Sequence, residues 1–140
     1  MKLLLVDDSK AIRMANQRAL EQVGYEVLCA EDGEAALKIA QSQPVDLILL
    51  DVMLPKTGGL QVLERLKSEA KTAAIPVIIL SGLSGRNGHK LIDAGAEAYL
   101  EKSALMPENG VNMLPQELEN IVCRLNRKRG IAFASVHTSH

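Results

Sequence analysis

Aspartates follow two of the apolar segments of this sequence. Asp7 and Asp8 come directly after KLLLV (residues 2–6), and Asp51 comes directly after DLILL (residues 46–50). Two carboxylates about 4 Å apart repel each other by roughly 4 kcal/mol at an effective dielectric constant of about 20. A cluster of three would therefore take up protons or bind a cation, and ligands that are all oxygen atoms suit Mg²⁺.

A hydroxyl and an ammonium group stand after two later apolar segments. Ser81 follows VIIL (residues 77–80), and Glu101 and Lys102 follow AYL (residues 98–100). A metal ion, a lysine and a hydroxyl donor together suit a phosphoryl group, and one of the carboxylates could then act as a nucleophile.

Each of these residues, taken singly, also has a simpler structural explanation. Asp8 and Ser81 could cap helices, Asp51 could begin a turn, and Lys102 could be a solvated lysine of a loop. Their joint placement is harder to explain in this way. Each residue follows a predicted strand, and ligands of open parallel sheets bind outside the carboxyl ends of the strands. The spacing therefore favours one shared site at that edge.

The elements that would position these residues alternate between two kinds of pattern. Five short apolar segments have the nearly continuous hydrophobicity of parallel strands that are covered on both faces. They are residues 2–6, 25–30, 46–50, 77–80 and 98–100. Segments with helical periodicity lie between and after them. They are residues 10–22 after the N-cap Ser9, a helix after Asp32, residues 59–70 with Leu60, Leu63 and Leu66 on one stripe, a helix that ends in HKLIDAG, and residues 115–129. This alternation predicts an α/β domain with a five-stranded parallel sheet.

The composition excludes several classes of protein. The 140 residues suit one domain, and the net charge of −1 gives no overall attraction to nucleic acid or to an anionic membrane. Aromatic residues are only 2% of the chain, which argues against stacking platforms for single strands. No segment approaches the roughly 20 apolar residues of a membrane helix, and KLLLV is too short for a secretion signal. We expect a cytoplasmic protein with no direct nucleic-acid or membrane partner, in which Cys29 and Cys123 are buried free thiols.

The combination of VDDS, LILLDVMLPKTGG, VIILSG and AYLEKS resembles the receiver domain of two-component response regulators. The resemblance covers about residues 1–128. It implies a flavodoxin-like (βα)5 fold, a doubly wound parallel sheet with the strand order 2-1-3-4-5. It also implies a phosphorelay switch rather than a conventional enzyme, one that catalyses only its own phosphotransfer and dephosphorylation.

The resemblance also implies a role for each residue of the site. Asp51 would be the phosphoacceptor, and the donor would be a phosphohistidine on a sensor histidine kinase or a phosphotransfer protein. Asp8, Asp51 and the backbone carbonyl of Met53 would bind Mg²⁺ directly, and Asp7 would act through water. Lys102 and Ser81 would contact phosphoryl oxygens.

Tyr99 matches the aromatic switch residue of the family. With Ser81 it would couple the site to the surface of the fourth helix, the fifth strand and the fifth helix, where a target protein or a second copy of the chain would bind. Ser103 stands where the family usually has proline, and residues 103–115 form an unusually long connection, so we expect a different loop there. Gly85, Asn87 and Gly88 predict a late start for the fourth helix.

Residues 1–129 are expected to form the receiver domain, and residues 130–140 a short tail. That tail is too short for an output domain, so the protein either acts by docking or is part of a longer regulator. Two alternatives remain, which are a Mg²⁺ phosphatase with an aspartyl nucleophile and a receiver that binds partners without phosphorylation. Met53 argues against the phosphatase, because such enzymes commonly place a second aspartate there.

Overall fold

The computed structural model describes residues 1–51, 59–81, 92–101 and 112–129. Its five strands are β1 (Lys2–Val6), β2 (Glu26–Ala30), β3 (Leu47–Asp51), β4 (Val77–Ser81) and β5 (Ala98–Glu101). Its helices within the described ranges include α1 (Lys10–Gln22), α2 (Gly33–Ser42), α3 (Gly59–Ser68) and the C-terminal helix (Leu114–Arg129). The predicted bounds agree within one or two residues, and Asp51, Ser81 and Glu101 are the last residues of their strands rather than the first residues beyond them.

All strand pairs are parallel, and the order in the sheet is β2-β1-β3-β4-β5. This order confirms the flavodoxin-like topology that the resemblance implied. Strands β1 and β3 are neighbours, with β2 on one side of the pair and β4 and β5 on the other. The connection that leaves β1 and the connection that leaves β3 therefore run in opposite directions across the sheet. Such a switch point leaves a crevice at the carboxyl ends of the two strands.

Helices cover both faces of the sheet. One buried cluster joins alternate strand residues such as Leu4 and Ile48 to α2 and α3. The other joins the intervening residues, such as Leu5 and Leu49, to α1 and the C-terminal helix. Because successive side chains of a strand point to opposite faces, a nearly continuous apolar segment serves both clusters.

The ends of the first two helices follow the predicted capping pattern. The Ser9 hydroxyl accepts a hydrogen bond from the Ile12 N–H, and the Asp32 carboxylate accepts one from the Ala35 N–H. After α1, Gly24 has a φ of 97°, a left-handed conformation that favours glycine. The turn therefore brings the chain into β2 with little strain.

Two predictions about burial are wrong. Leu60 is 40% exposed, whereas Val62, Leu63 and Leu66 of the same helix are fully buried. The buried face of α3 is therefore rotated toward Val62. Both cysteines are free, but Cys29 is half-buried and Cys123 is exposed, because Cys123 lies outside the apolar face of the C-terminal helix.

That apolar face is confirmed, since Leu118, Ile121, Val122 and Leu125 are all buried. Within the described ranges, no helix combines the length and the apolar composition needed to cross a membrane. Several predictions concern residues outside those ranges. They are the start of the fourth helix, the loop after Lys102 and the tail from residue 130.

Candidate metal centre

The strand register brings Asp7 and Asp51 to the same level of the sheet. Val6 pairs with Leu50 across β1 and β3, so the next residue of each strand is an aspartate. Asp7 is fully buried and Asp51 is 1% exposed. The chain thus places two carboxylates side by side at the crevice of the sheet.

Asp8 completes a cluster of three carboxylates. Asp7, Asp8 and Asp51 each offer an oxygen atom, and these atoms lie within 4.8 Å of one another. Asp8 is exposed, so the cluster has two buried members and one that faces solvent. Carboxylates at this spacing repel one another, and a divalent cation would remove the repulsion. The all-oxygen donor set fits a hard ion such as Mg²⁺.

Hydrogen bonds to the N–H, the side chain and the carbonyl of Asp7 hold it in place. Its N–H donates to the carbonyl of Ala30 at 3.1 Å, which extends the pairing of β1 with β2. Its Oδ1 accepts from the Ser9 N–H at 3.0 Å, and its carbonyl oxygen accepts from Nη1 of Arg13 at 2.7 Å. The contact of Arg13 was not predicted from the sequence.

The other predicted site residues are only partly described. Ser81 ends β4 and pairs with Glu101 of β5, so its backbone lies at the same edge of the sheet as Asp51. Its side chain, together with Met53 and Lys102, lies outside what the structure describes. Lys102 directly follows Glu101, the last residue of β5.

Tyr99, the predicted switch residue, is half-buried on β5 and packs against the cluster on the α2 and α3 face. Its hydroxyl donates a hydrogen bond to Oε1 of Glu101 at 3.2 Å. The pKa of Tyr99 is raised above its ordinary value, first by burial and then by the hydrogen bond and the negative charge of Glu101. This contact was not predicted from the sequence, although residues two apart on a strand share a face.

A groove of about 440 Å³ lies between β5 and the C-terminal helix. Tyr99 lines it from the strand, and Cys123, Arg124 and Arg127 line it from the helix. The groove belongs to the surface that the resemblance assigned to partner binding. Its helix side carries these two cations and one carboxylate, that of Glu117.

Comparisons with known proteins match this architecture to one family. A family model described as the response regulator receiver domain matches residues 3–113. A gliding motility regulatory protein of Myxococcus xanthus is 42% identical over 122 residues, which are 86% of this chain and 15% of that protein. The chain spans less than half the length of each of the curated relatives compared, several of which are named as transcriptional regulators.

Solved structures give the same result. A CheY-like receiver domain protein from Methanospirillum hungatei is 28% identical with a TM-score of 0.75, and the match covers 92% of this chain and 96% of that one. Response regulator TrrA of Thermotoga maritima, crystallised in complex with Mg²⁺-BeF, is 31% identical with a TM-score of 0.71, and the match covers 86% and 97% of the two chains. The chain therefore belongs to the response regulator receiver domain family, the phosphorylation-based switches of two-component signalling.

Proposed function

We propose that Asp51 accepts a phosphoryl group from a phosphohistidine of a sensor histidine kinase or phosphotransfer protein. An oxygen of the Asp51 carboxylate forms a bond to phosphorus, the phosphorus–nitrogen bond breaks, and the imidazole of the donor leaves with the electron pair. The observation that carries this proposal is the placement of the buried Asp51 within 4.8 Å of two further carboxylates at the crevice of the sheet.

Mg²⁺ is the proposed cofactor. The carboxylates of Asp8 and Asp51 and the backbone carbonyl of Met53 are the proposed direct ligands, and Asp7 is proposed to act through water. When bound, the ion supplies positive charge against the oxygens of the phosphoryl group. The complex of the related TrrA with Mg²⁺-BeF supports this choice.

Two further residues are proposed to hold the phosphoryl group. Lys102 pairs with one phosphoryl oxygen through its ammonium group, and Ser81 donates a hydrogen bond to another. The position of Ser81 at the carboxyl end of β4, beside the end of β3, supports this assignment.

The output is proposed to run through Tyr99 to the surface of the fourth helix, β5 and the C-terminal helix. Phosphorylation would change the environment of Ser81 and Tyr99, and a target protein or a second copy of the chain would bind there. The groove beside Tyr99 supports this assignment. We also propose a cytoplasmic protein without direct nucleic-acid contact, whose receiver unit is residues 1–129 and whose chemistry is limited to its own phosphotransfer and dephosphorylation.

Incubation with a small phosphodonor, with and without Mg²⁺, tests the proposed acceptor. Intact-mass measurement should show the gain of one phosphoryl group only when Mg²⁺ is present, and Asp51→Asn should abolish that gain. Asp46→Asn is a matched control, because Asp46 is exposed and directly precedes the first residue of the same strand.

The control variant should be labelled like the natural protein. Labelling that persists in Asp51→Asn would show that another residue is the acceptor. Labelling that does not need Mg²⁺ would contradict the role of the metal while leaving the choice of acceptor intact.

A further inference from the structure

Arg13 lies near the start of α1 and makes two contacts back to the turn that carries the acidic cluster. Its backbone N–H donates to the Ser9 carbonyl at 2.8 Å, which closes the first turn of the helix. Its guanidinium Nη1 donates to the Asp7 carbonyl at 2.7 Å. One residue thus ties α1 both to its own N-cap and to the last residue before the exposed Asp8.

We propose that Arg13 is a positioning residue for the metal ion. Its hydrogen bond to the Asp7 carbonyl fixes the turn between β1 and α1 in the shape that directs Asp7 and Asp8 toward Asp51, and this raises the affinity of the site for Mg²⁺. The inference rests on the proposed metal site and adds a residue that is not a ligand.

The charge of Arg13 acts in the opposite direction. A guanidinium close to the cluster repels a divalent cation, so electrostatics alone predicts tighter binding when the charge is removed. Loss of the hydrogen bond to the Asp7 carbonyl predicts weaker binding. The two effects therefore have opposite signs, and a single measurement decides between them.

Burial favours the effect of the hydrogen bond. With Arg13 in place Asp7 is fully buried, so loss of the Arg13 donor removes a hydrogen bond from a carbonyl to which water has little access. Solvent and salt screen the effect of the Arg13 charge on the cluster, because Asp8 is exposed. The turn also has little other freedom, since the Asp7 N–H and Oδ1 are bonded to β2 and to Ser9.

The test is a titration of the ¹⁵N-labelled full chain with MgCl₂ at constant ionic strength, followed through the amide signals of Asp7, Asp8 and Ser9. Arg13→Met should weaken Mg²⁺ binding by about tenfold or more, a loss typical of groups that orient metal ligands. Arg18→Met is the matched control, because Arg18 is an exposed arginine of the same helix and its replacement removes the same charge. That variant should bind Mg²⁺ like the natural protein.

The Arg13→Lys variant separates geometry from charge and serves if Arg13→Met does not fold. Lysine keeps the positive charge, but its shorter side chain cannot place a donor where Nη1 of Arg13 lies. The hydrogen bond should therefore be weakened rather than lost, and the affinity of this variant should fall between those of the natural protein and Arg13→Met. Unfolding curves measured without metal identify any general loss of stability.

The possible results are distinct. Mg²⁺ binding by Arg13→Met that is equal to or tighter than that of Arg18→Met would overturn the inference, as would tighter binding by Arg13→Lys than by the natural protein. A natural protein that does not bind Mg²⁺ at these amides would instead contradict the proposed metal site itself.

Discussion

The two tyrosines of the chain both have raised pKa values, but for different reasons. The pKa of Tyr25 rises from 10.0 to about 12, chiefly because the ring is buried and then because of the negative charges of Glu119 and Cys123. The pKa of Tyr99 rises through burial and through Glu101, its hydrogen-bond partner. Tyr25 thus belongs to the packing of the C-terminal helix, and Tyr99 to the candidate switch surface.

Tyr25 should make the protein less stable at alkaline pH. Its folded-state pKa is above its unfolded-state value, so its contribution is present below pH 10 and is lost as the pH rises toward 12. We expect the free energy of unfolding to fall across that range, and to fall less steeply in Tyr25→Phe. Urea unfolding at several pH values, followed by circular dichroism, measures both slopes.

Tyr99→Phe is the comparison variant, since Tyr99 has its own raised pKa but a smaller burial and a different location. Its alkaline slope should remain closer to that of the natural protein. Equal slopes for the natural protein and Tyr25→Phe would show that Tyr25 does not control stability in this range.

Among single residues, the acidic cluster was predictable and the bonds that hold it were not. Asp7 directly follows β1, and Asp51 is the last residue of β3. The carboxyl ends of neighbouring parallel strands must meet at one edge of the sheet. The contact of Arg13 with the Asp7 carbonyl depends on the rotamer of a long side chain. No spacing rule in the sequence specifies such a rotamer.

Among the elements, α1 and the C-terminal helix are joined by a pair of asparagines. Nδ2 of Asn112 donates to Oδ1 of Asn16 at 2.9 Å, and Oδ1 of Asn112 accepts from the Leu114 N–H at 2.9 Å. Asn16 is only 9% exposed. The pair therefore fixes the first turn of the C-terminal helix against α1 and satisfies one N–H that the helix itself leaves without a partner.

Removal of either asparagine should destabilise the protein. Asn16→Ala and Asn112→Ala should each lower the free energy of unfolding by about 1–3 kcal/mol, because each leaves a buried or half-buried polar partner without its bond. The double variant should lose less than the sum, with a coupling of about 0.5 kcal/mol or more. Urea unfolding of the natural protein, the two single variants and the double variant gives the double-mutant cycle that measures this coupling.

Asn120→Ala is the control, because Asn120 is exposed on the same C-terminal helix. Its effect should stay within about 0.5 kcal/mol of zero. Strictly additive losses for Asn16→Ala and Asn112→Ala would show that the pair does not couple the two helices.

The elements were predicted to different degrees of accuracy. Helix α1 was predicted with its bounds and its cap, because Ser9 and Gly24 mark its two ends. The buried face of α3 was rotated from the prediction, since Leu60, Val62, Leu63 and Leu66 fit more than one apolar stripe. Tertiary packing decides between such stripes, and the periodicity alone does not.

At the scale of the whole molecule, the sheet gathers charge of one sign at one edge. The alternation of strands and helices predicted a parallel sheet, but the strand order came from the resemblance, because periodicity carries no information about which strands are neighbours. The observed neighbours β1 and β3 bring Asp7, Asp8 and Asp51 together. The fold therefore contains a repulsion that a bound cation would relieve.

Because of this repulsion, we expect the stability of the whole domain to depend on Mg²⁺. An ion that binds only the folded chain raises the free energy of unfolding in proportion to the logarithm of its concentration above Kd. Without metal, Asp8→Asn should be more stable than the natural protein by about 1 kcal/mol, since Asp8 is exposed and its repulsion is partly screened. With saturating Mg²⁺ the natural protein should gain stability and the variant should gain much less.

Urea unfolding of the natural protein and of Asp8→Asn, each with and without MgCl₂ at one ionic strength, measures the four free energies of unfolding. Asp93→Asn is the matched control, because Asp93 is an exposed aspartate outside the cluster, and its metal response should equal that of the natural protein. An equal response of Asp8→Asn and Asp93→Asn to Mg²⁺ would mean that the ion binds elsewhere or not at all. A loss of stability in metal-free Asp8→Asn would mean that Asp8 makes favourable contacts that outweigh the repulsion, and the electrostatic account of the site would then be wrong.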